Sequence, residues 1–408
     1  MSSVPQPMAA VTVLDLSEWV AGPYCTKLFA DFGARVIKVE RPDGDPCRRM
    51  GPFRGDAPNM EAGGLFLHLN TNKDGIVVDL DRPEGIEIVR RLAAIADVVV
   101  ESFPPGFMEY RGVGAAALLE AKPDLVVTSI TGFGQSGPYR EWEMSELIAF
   151  AMGGPMSASG NPQREPVKLV GNVIQMQSGS TAANATLGAL YWALENGEGQ
   201  HVDVATFETQ NGSLDRRRYY LLSYEYSGTV GERAAVVGAG RPAAGGRFLA
   251  RDGVEVTTGR IWPDHIGRMV DVLRDDRLAE LWATCGMQMM ADEPDYINEV
   301  VARWVSQRTA REAMREAQAG GWPVVVVNDP QTLLFDDHLV ARGFWVKGMH
   351  PAAGSLSYTG APWQIDEGGW ALRHTAPLLG QHTDAVLRDL LGYDATRVAR
   401  LRHQAVVA

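Results

Sequence analysis

VTVLDLSEWVAGPYCTKLFADFGARVIKV, Val11 to Val39, decides the fold. Val11 to Leu16 is a short apolar run bounded by polar residues and reads as a buried strand. Ala21-Gly22-Pro23 turns the chain, and Pro23 suits the first turn of a helix, where no N–H is needed. Apolar residues then recur at helical spacing from Tyr24 to Phe32, and Gly33 is a stop signal. Arg35 to Val39 is a second strand. Strand, helix and strand in this order form a βαβ unit with a right-handed connection.

The rhythm repeats downstream. Strands are predicted at Ile76 to Leu80, Asp97 to Glu101 and Asp124 to Ile130, with helices at Pro83 to Ala96 and Gly114 to Ala121 between them. Asp81 stands where a helix cap belongs. Val- and Ile-rich strands alternating with helices imply a mostly parallel sheet covered on both faces. Ser145 to Met152 and Gln177 to Asn196 read as helices, followed by a strand at His201 to Phe207 and a helix at Thr206 to Tyr226. The Arg216-Arg217-Arg218 run on that last helix reads as a solvated face, with anion binding as the alternative. Gly228 to Gly246 is rich in Gly and Ala and reads as a linker. Arg247 to Ile261 alternates like strands of a smaller α+β domain. Helices at Trp262 to Leu273, Leu278 to Cys285 and Asp295 to Gln307 follow, then a strand at Val324 to Val327. Ala376 to Leu401 ends in helical patterning.

The chain's 408 residues, 45% of them hydrophobic, supply a sizeable core. A net charge of -12 argues against a nucleic-acid partner, and any anion site must be a local cluster of basic groups. Three cysteines without a CxxC pair, and histidines without ligand spacing, argue against a metal centre or a disulfide scaffold. The first ten residues lack a signal-peptide pattern, and no apolar stretch is long enough to span a membrane. A cytoplasmic globular protein is expected.

Three stretches together resemble the family III CoA-transferases, which include the α-methylacyl-CoA racemases. They are VLDLSEWVAGPYCTKLFADFGARVIKVERPDGD (Val13 to Asp45), FLHLNTNKDGIVVDLDRPEG (Phe66 to Gly85) continuing through DVVVESFPPG to SITGFGQSGPY, and APLLGQHTDAVL (Ala376 to Leu387). The resemblance covers roughly Val11 to Leu401. It implies a Rossmann-like large domain, residues 1–227 and 331–408, and a small domain at 228–330 with its linker. It also implies an interlocked, ring-like homodimer acting on acyl-CoA and a small carboxylic acid. Coenzyme A is substrate there, and no cofactor is permanently bound.

CoA carries phosphates, which call for basic groups and free N–H groups at strand and helix ends. The resemblance assigns Val20, Lys38, Arg41, Asn72, Lys73, Phe133 and Gly134 to CoA binding, and His68 to the channel wall. His382 is structural. Pro104 and Thr131 depart from the pattern, where relatives carry basic residues.

The family's transferases use an aspartate nucleophile that forms an anhydride and then an aspartyl-CoA thioester. Its position, counted from Lys168 and again from Gln200, falls on Gln175. No Asp or Glu lies between Val167 and Leu194. The racemases pair that aspartate with a histidine, whose position here is Ser145. Gln175 and Glu146 are therefore the candidate catalytic residues. Gln175 can donate to a thioester oxygen, and Glu146 can serve as a general base or stand in for the aspartate. Transfer of CoA between carboxylic acids is the leading expectation. An acyl-CoA isomerase, racemase, lyase or hydrolase, or a non-catalytic acyl-CoA binder, stands as the alternative.

Overall fold

The computed structural model describes residues 6–161, 163–213, 215–230, 243–258, 263–366 and 368–408. The Arg216 to Arg218 side chains, and residues 231–242 of the expected linker, lie outside the described residues. The chain divides into two compact units: Met1–Ser157 with Lys168–Gly231 and Ala341–Ala408, and Ala158–Val167 with Glu232–Val340.

In the first unit six strands form one parallel sheet: β1 (Thr12–Asp15), β2 (Arg35–Glu40), β3 (Lys73–Val77), β4 (Val98–Glu101), β5 (Val126–Thr131) and β6 (His201–Ala205). Their order is β3-β2-β1-β4-β5-β6. Thr12 pairs with Arg35 in β2 and Val13 with Val98 in β4, so β1 is the central strand from which the order runs both ways. In sheets of this kind ligands sit beyond the carboxyl ends of the strands where the order reverses, here β1 and β4.

Helices α1 (Ala21–Asp31), α2 (Gly64–Leu69), α3 (Pro83–Ala93), α4 (Phe107–Tyr110), α5 (Ala115–Ala121), α6 (Glu146–Met152) and α7 (Val173–Asn196) connect or cover the strands. One core layer joins α1 and α7 to the sheet through Cys25, Phe29, Val36, Val98, Ala182 and Leu190. The other joins α3 to the C-terminal helices Thr383–Leu391 and Ala395–His403 through Ile88, Leu92, Leu387 and Leu401. A bridge between Val78 and Val407 and an Arg91 bond to the Leu391 carbonyl fasten this tail. Gly179 lets α7 lie directly on α1, since a Cβ there would fall 2.4 Å from the Ala21 carbonyl oxygen.

Two local expectations are corrected. Asp81 does not cap α3: the cap position is Arg82, and the Asp81 carboxylate pairs instead with Arg111. α7 begins at Val173, four residues before its expected start at Gln177. No side chain of the cap residue Asn172 bonds its first turn, and the extra turn is held from α6, as described below.

The second unit has its own core of Val256, Ile266, Met269, Ile297, Val301 and Trp322. It contains a three-stranded antiparallel sheet of Gly246–Leu249, Glu255–Thr258 and Val324–Val326. Among the described residues no helix is long and apolar enough to cross a membrane.

Candidate active site

The carboxyl end of β1 stands on a dry ion network. Asp15 accepts from Thr26 Oγ1 at 2.7 Å and Lys73 Nζ at 3.0 Å. Burial alone would raise the Asp15 carboxyl, but the Lys73 and Lys38 charges outweigh it and hold it at about 2. Lys38 donates to Asp45 at 2.8 Å and to the Ser17 carbonyl. Burial opposes the Lys38 charge, yet Asp45, Asp15 and Glu40 raise its ammonium above the ordinary lysine value. Beside them, Arg48 bonds both oxygens of Glu40, at 2.6 and 2.8 Å.

Four of the residues expected to contact CoA lie in or beside this network. Lys38 and Lys73 are wholly enclosed. The Lys73 ammonium is spent on Asp15, Thr26, Asn70 and the Pro23 carbonyl. Asn72, also buried, donates to Asp31 and the Ala371 carbonyl and accepts from the Arg373 N–H. Val20 is buried with Cys47 and Phe66. The Lys38 and Lys73 ammonium groups are paired within the chain, and Asn72 ties the segment around Arg373 to this layer. A buried ammonium without its anionic partners is too costly to keep, so the sequence pairs each one.

Arg41, Phe133 and Gly134 are placed differently. Arg41 is half-exposed at the end of β2 and holds Glu18 through two bonds of 2.7 Å. Glu18 in turn joins the two central strands: its N–H donates to Ser102 Oγ at 2.9 Å, and that hydroxyl donates to the Glu18 carbonyl at 3.2 Å. Phe133 follows β5, with the Tyr139 and Trp142 rings edge-on at 5.7 and 6.0 Å. Gly134 has φ +89°, its N–H donates to Thr131 Oγ1, and a Cβ there would meet the Asp203 carboxylate at 3.5 Å.

Two groups at this edge escaped the sequence reading. Trp19 is 50% exposed with φ +67°, a strained conformation for so bulky a residue. Its N–H donates to Asp45, and its carbonyl accepts from Cys47 Sγ at 2.9 Å. Glu101 ends β4, buried, with one oxygen accepting the Phe103 N–H at 2.7 Å. Burial pushes its carboxyl up to about 7 despite that bond. Neither a backbone φ nor a burial leaves a signal in the sequence.

The candidate catalytic pair meets at the corner between α6 and α7. Ser145 caps α6, its hydroxyl accepting the Ile148 N–H. Glu146 accepts the Ile174 N–H at 2.9 Å through one oxygen and the Gln175 N–H at 3.2 Å through the other. A carboxylate here satisfies two of the donors that every helix leaves free at its start, and it meets the positive end of the helix dipole. The Gln175 side-chain amide makes no hydrogen bond within the chain among the described residues. His68 lines a cavity beside α1, and His382 Nδ1 accepts the Gly75 N–H, a structural use.

Comparison with known proteins agrees with this architecture. Residues 8–383 match CoA-transferase family III. The chain is 30% identical to the succinyl-CoA–D-citramalate CoA-transferase of Chloroflexus aurantiacus, over 99% of this chain and 98% of that protein. It is also 30% identical to the BbsE subunit of the succinyl-CoA:(R)-benzylsuccinate CoA-transferase of Thauera aromatica, over 95% of both chains. A crystal structure of a CAIB/BAIF family protein from Brucella suis superposes with a TM-score of 0.81 at 27% identity, covering 95% of this chain and 100% of that one. By sequence over nearly its whole length and by fold, the chain belongs to CoA-transferase family III.

Proposed function

We propose that the chain moves coenzyme A between two carboxylic acids by direct attack of one substrate on the other. The CoA thioester lies beyond the carboxyl ends of β1 and β4, with Arg41, Trp19, Phe133 and Gly134 along its edge. Its carbonyl group meets the first turn of α7. The observation that carries this reading is the Glu146–Gln175 corner: a fixed helix start presenting a neutral amide with its donors unspent.

Gln175 Nε2 donates to the thioester oxygen and stabilises the negative charge that develops there. The acceptor carboxylate attacks the thioester carbon, and the CoA thiolate leaves. A mixed anhydride of the two acids results. The thiolate then attacks the acceptor's carbonyl carbon, giving the new thioester and releasing the donor acid with one oxygen taken from the acceptor. No carboxylate of the protein is consumed. Glu146 has both oxygens engaged and acts as a positioning residue.

Leu147, Leu169, Val170 and Val173 around this corner are exposed, Val170 to 92%. A second copy of the chain closing over them excludes water from the anhydride. In this reading the protein is a cytoplasmic homodimer of CoA-binding large domains.

The test is a single turnover with an acceptor acid labelled with ¹⁸O in its carboxylate. The reading expects label in the released donor acid. New acyl-CoA with an unlabelled donor acid would sink direct attack. A second reading has the missing carboxylate in its favour, together with a relative that is one subunit of an enzyme. In it the chain binds acyl-CoA but leaves the chemistry to another chain. Acyl-CoA binding without turnover, with every acid tried, is its signature.

A further inference from the structure

A cavity of about 470 Å³ lies beside α1 and α7, away from the corner just described. Its volume is that of a small-molecule site. Ser180, Asn184 and Leu187 line it from α7 and share one stripe of that helix at i, i+4 and i+7. Gln175 is five residues before Ser180, about 140° round the helix at 3.6 residues per turn. The cavity is therefore not the reaction centre.

Its walls have two kinds of surface. Phe32 stacks on Trp363, ring centres 5.5 Å apart and planes 2° apart, and Leu28 and Trp370 extend this apolar side. The polar side holds Tyr24, His68, Ser180 and Asn184. None of these four side chains makes a hydrogen bond within the chain among the described residues. Four polar groups on one cavity wall can therefore bond a molecule that enters it.

The charge on that wall is already balanced. Lys27 donates to Asp31 at 2.8 Å and to Thr71 Oγ1 at 2.7 Å, and both Lys27 and Asp31 face the cavity. Burial, and then the Lys27 charge, push the His68 imidazole down to about 4. At neutral pH it offers one donor and one acceptor and no charge. A charged ligand would lose its hydration here without gaining an opposite charge.

We propose that this cavity is a second small-molecule site, taking an uncharged ligand with a flat apolar body and one amide or hydroxyl head. The body lies against Phe32 and Trp363. The head bonds His68, Tyr24, Ser180 and Asn184. The site does not depend on acyl-CoA chemistry.

The probe is phenylacetamide, with phenylacetate as its charged counterpart of the same shape. Both are titrated into the full chain by calorimetry, while the His68 ring signals are followed by NMR. Phenylacetamide is expected to bind and to move those signals. Phenylacetate is expected to bind at least about tenfold more weakly, and His68→Leu and Asn184→Leu each to weaken the amide about tenfold. Asn184 is exposed, so its variant keeps the test available if the His68 variant unfolds. Equal or tighter binding of phenylacetate, unchanged affinity in a folded variant, or no binding because a second copy covers the opening would each overturn the proposal.

Discussion

Glu146 and Gln175 are joined by a hydrogen bond of 3.2 Å that runs from the Gln175 backbone N–H to the Glu146 carboxylate. The side chain of one candidate residue thus fixes the backbone of the other. Removing it frays the turn that carries Gln175. Glu146→Ala is expected to lower stability by about 1 kcal/mol, the usual cost of a lost helix cap. Faster hydrogen exchange at the Ile174 and Gln175 amides should accompany the loss. Glu146→Gln keeps one acceptor oxygen and should fall between the two.

Gln175→Ala tests the amide itself. Losing one donor to a developing oxyanion lowers kcat by about 10²–10³-fold. KM for acyl-CoA should move little, because the bond strengthens only as charge develops. Gln175→Asp should instead open a route through an enzyme-bound anhydride, and the ¹⁸O label would then enter the protein.

Glu101 gives a pH signature. Its folded carboxyl holds a proton up to about 7, against 4.5 for an ordinary glutamate. Between those values the folded state binds more protons than the unfolded chain, so the Glu101 contribution is full below pH 4.5 and lost as pH rises through 7. The loss is at most about 3 kcal/mol at 1.36 kcal/mol per pKa unit. Glu101→Gln should remove it, so that urea unfolding at pH 5 and pH 8 shows the variant gaining on the wild-type chain at the higher pH.

The Lys38–Asp45 pair is fully buried. Asp45→Asn leaves the ammonium without its nearest anion and should cost about 3–5 kcal/mol in urea unfolding. The double change Lys38→Met, Asp45→Leu should recover part of that, because neither ion of the pair is left alone, while Asp15 loses one of its two cations and the Ser17 carbonyl its donor.

Trp19 separates stability from binding. Trp19→Gly removes a strained φ and is expected to leave stability unchanged or raise it by up to about 1 kcal/mol. Acyl-CoA affinity should fall in the same variant if the ring lies along the thioester.

The central βαβ unit was legible from Val11 to Val39 because its signals are local. A buried strand needs continuous apolar residues, and a helix that covers it needs apolar positions at helical spacing. The parallel sheet and its helical covering followed from the same alternation, and the family resemblance, counted from Lys168 and from Gln200, put the expected aspartate at Gln175. The start of α7 did not, since its first turn is held by a residue 29 positions earlier in sequence. Lys38 and Lys73 in sequence are simply two cations near strand ends. Whether such a cation meets a phosphate or an internal carboxylate depends on which acids the folded chain brings beside it, and here Asp45 and Asp15 stand within 3.0 Å. Sequence determined the elements and their order, because short-range patterning sets these, and the resemblance to the family put a glutamine, Gln175, where its aspartate is expected. Tertiary structure decided which polar groups are paired inside the chain and which, like the Gln175 amide and the His68 ring, have no hydrogen-bond partner among the described residues, because burial and pairing depend on the folded whole.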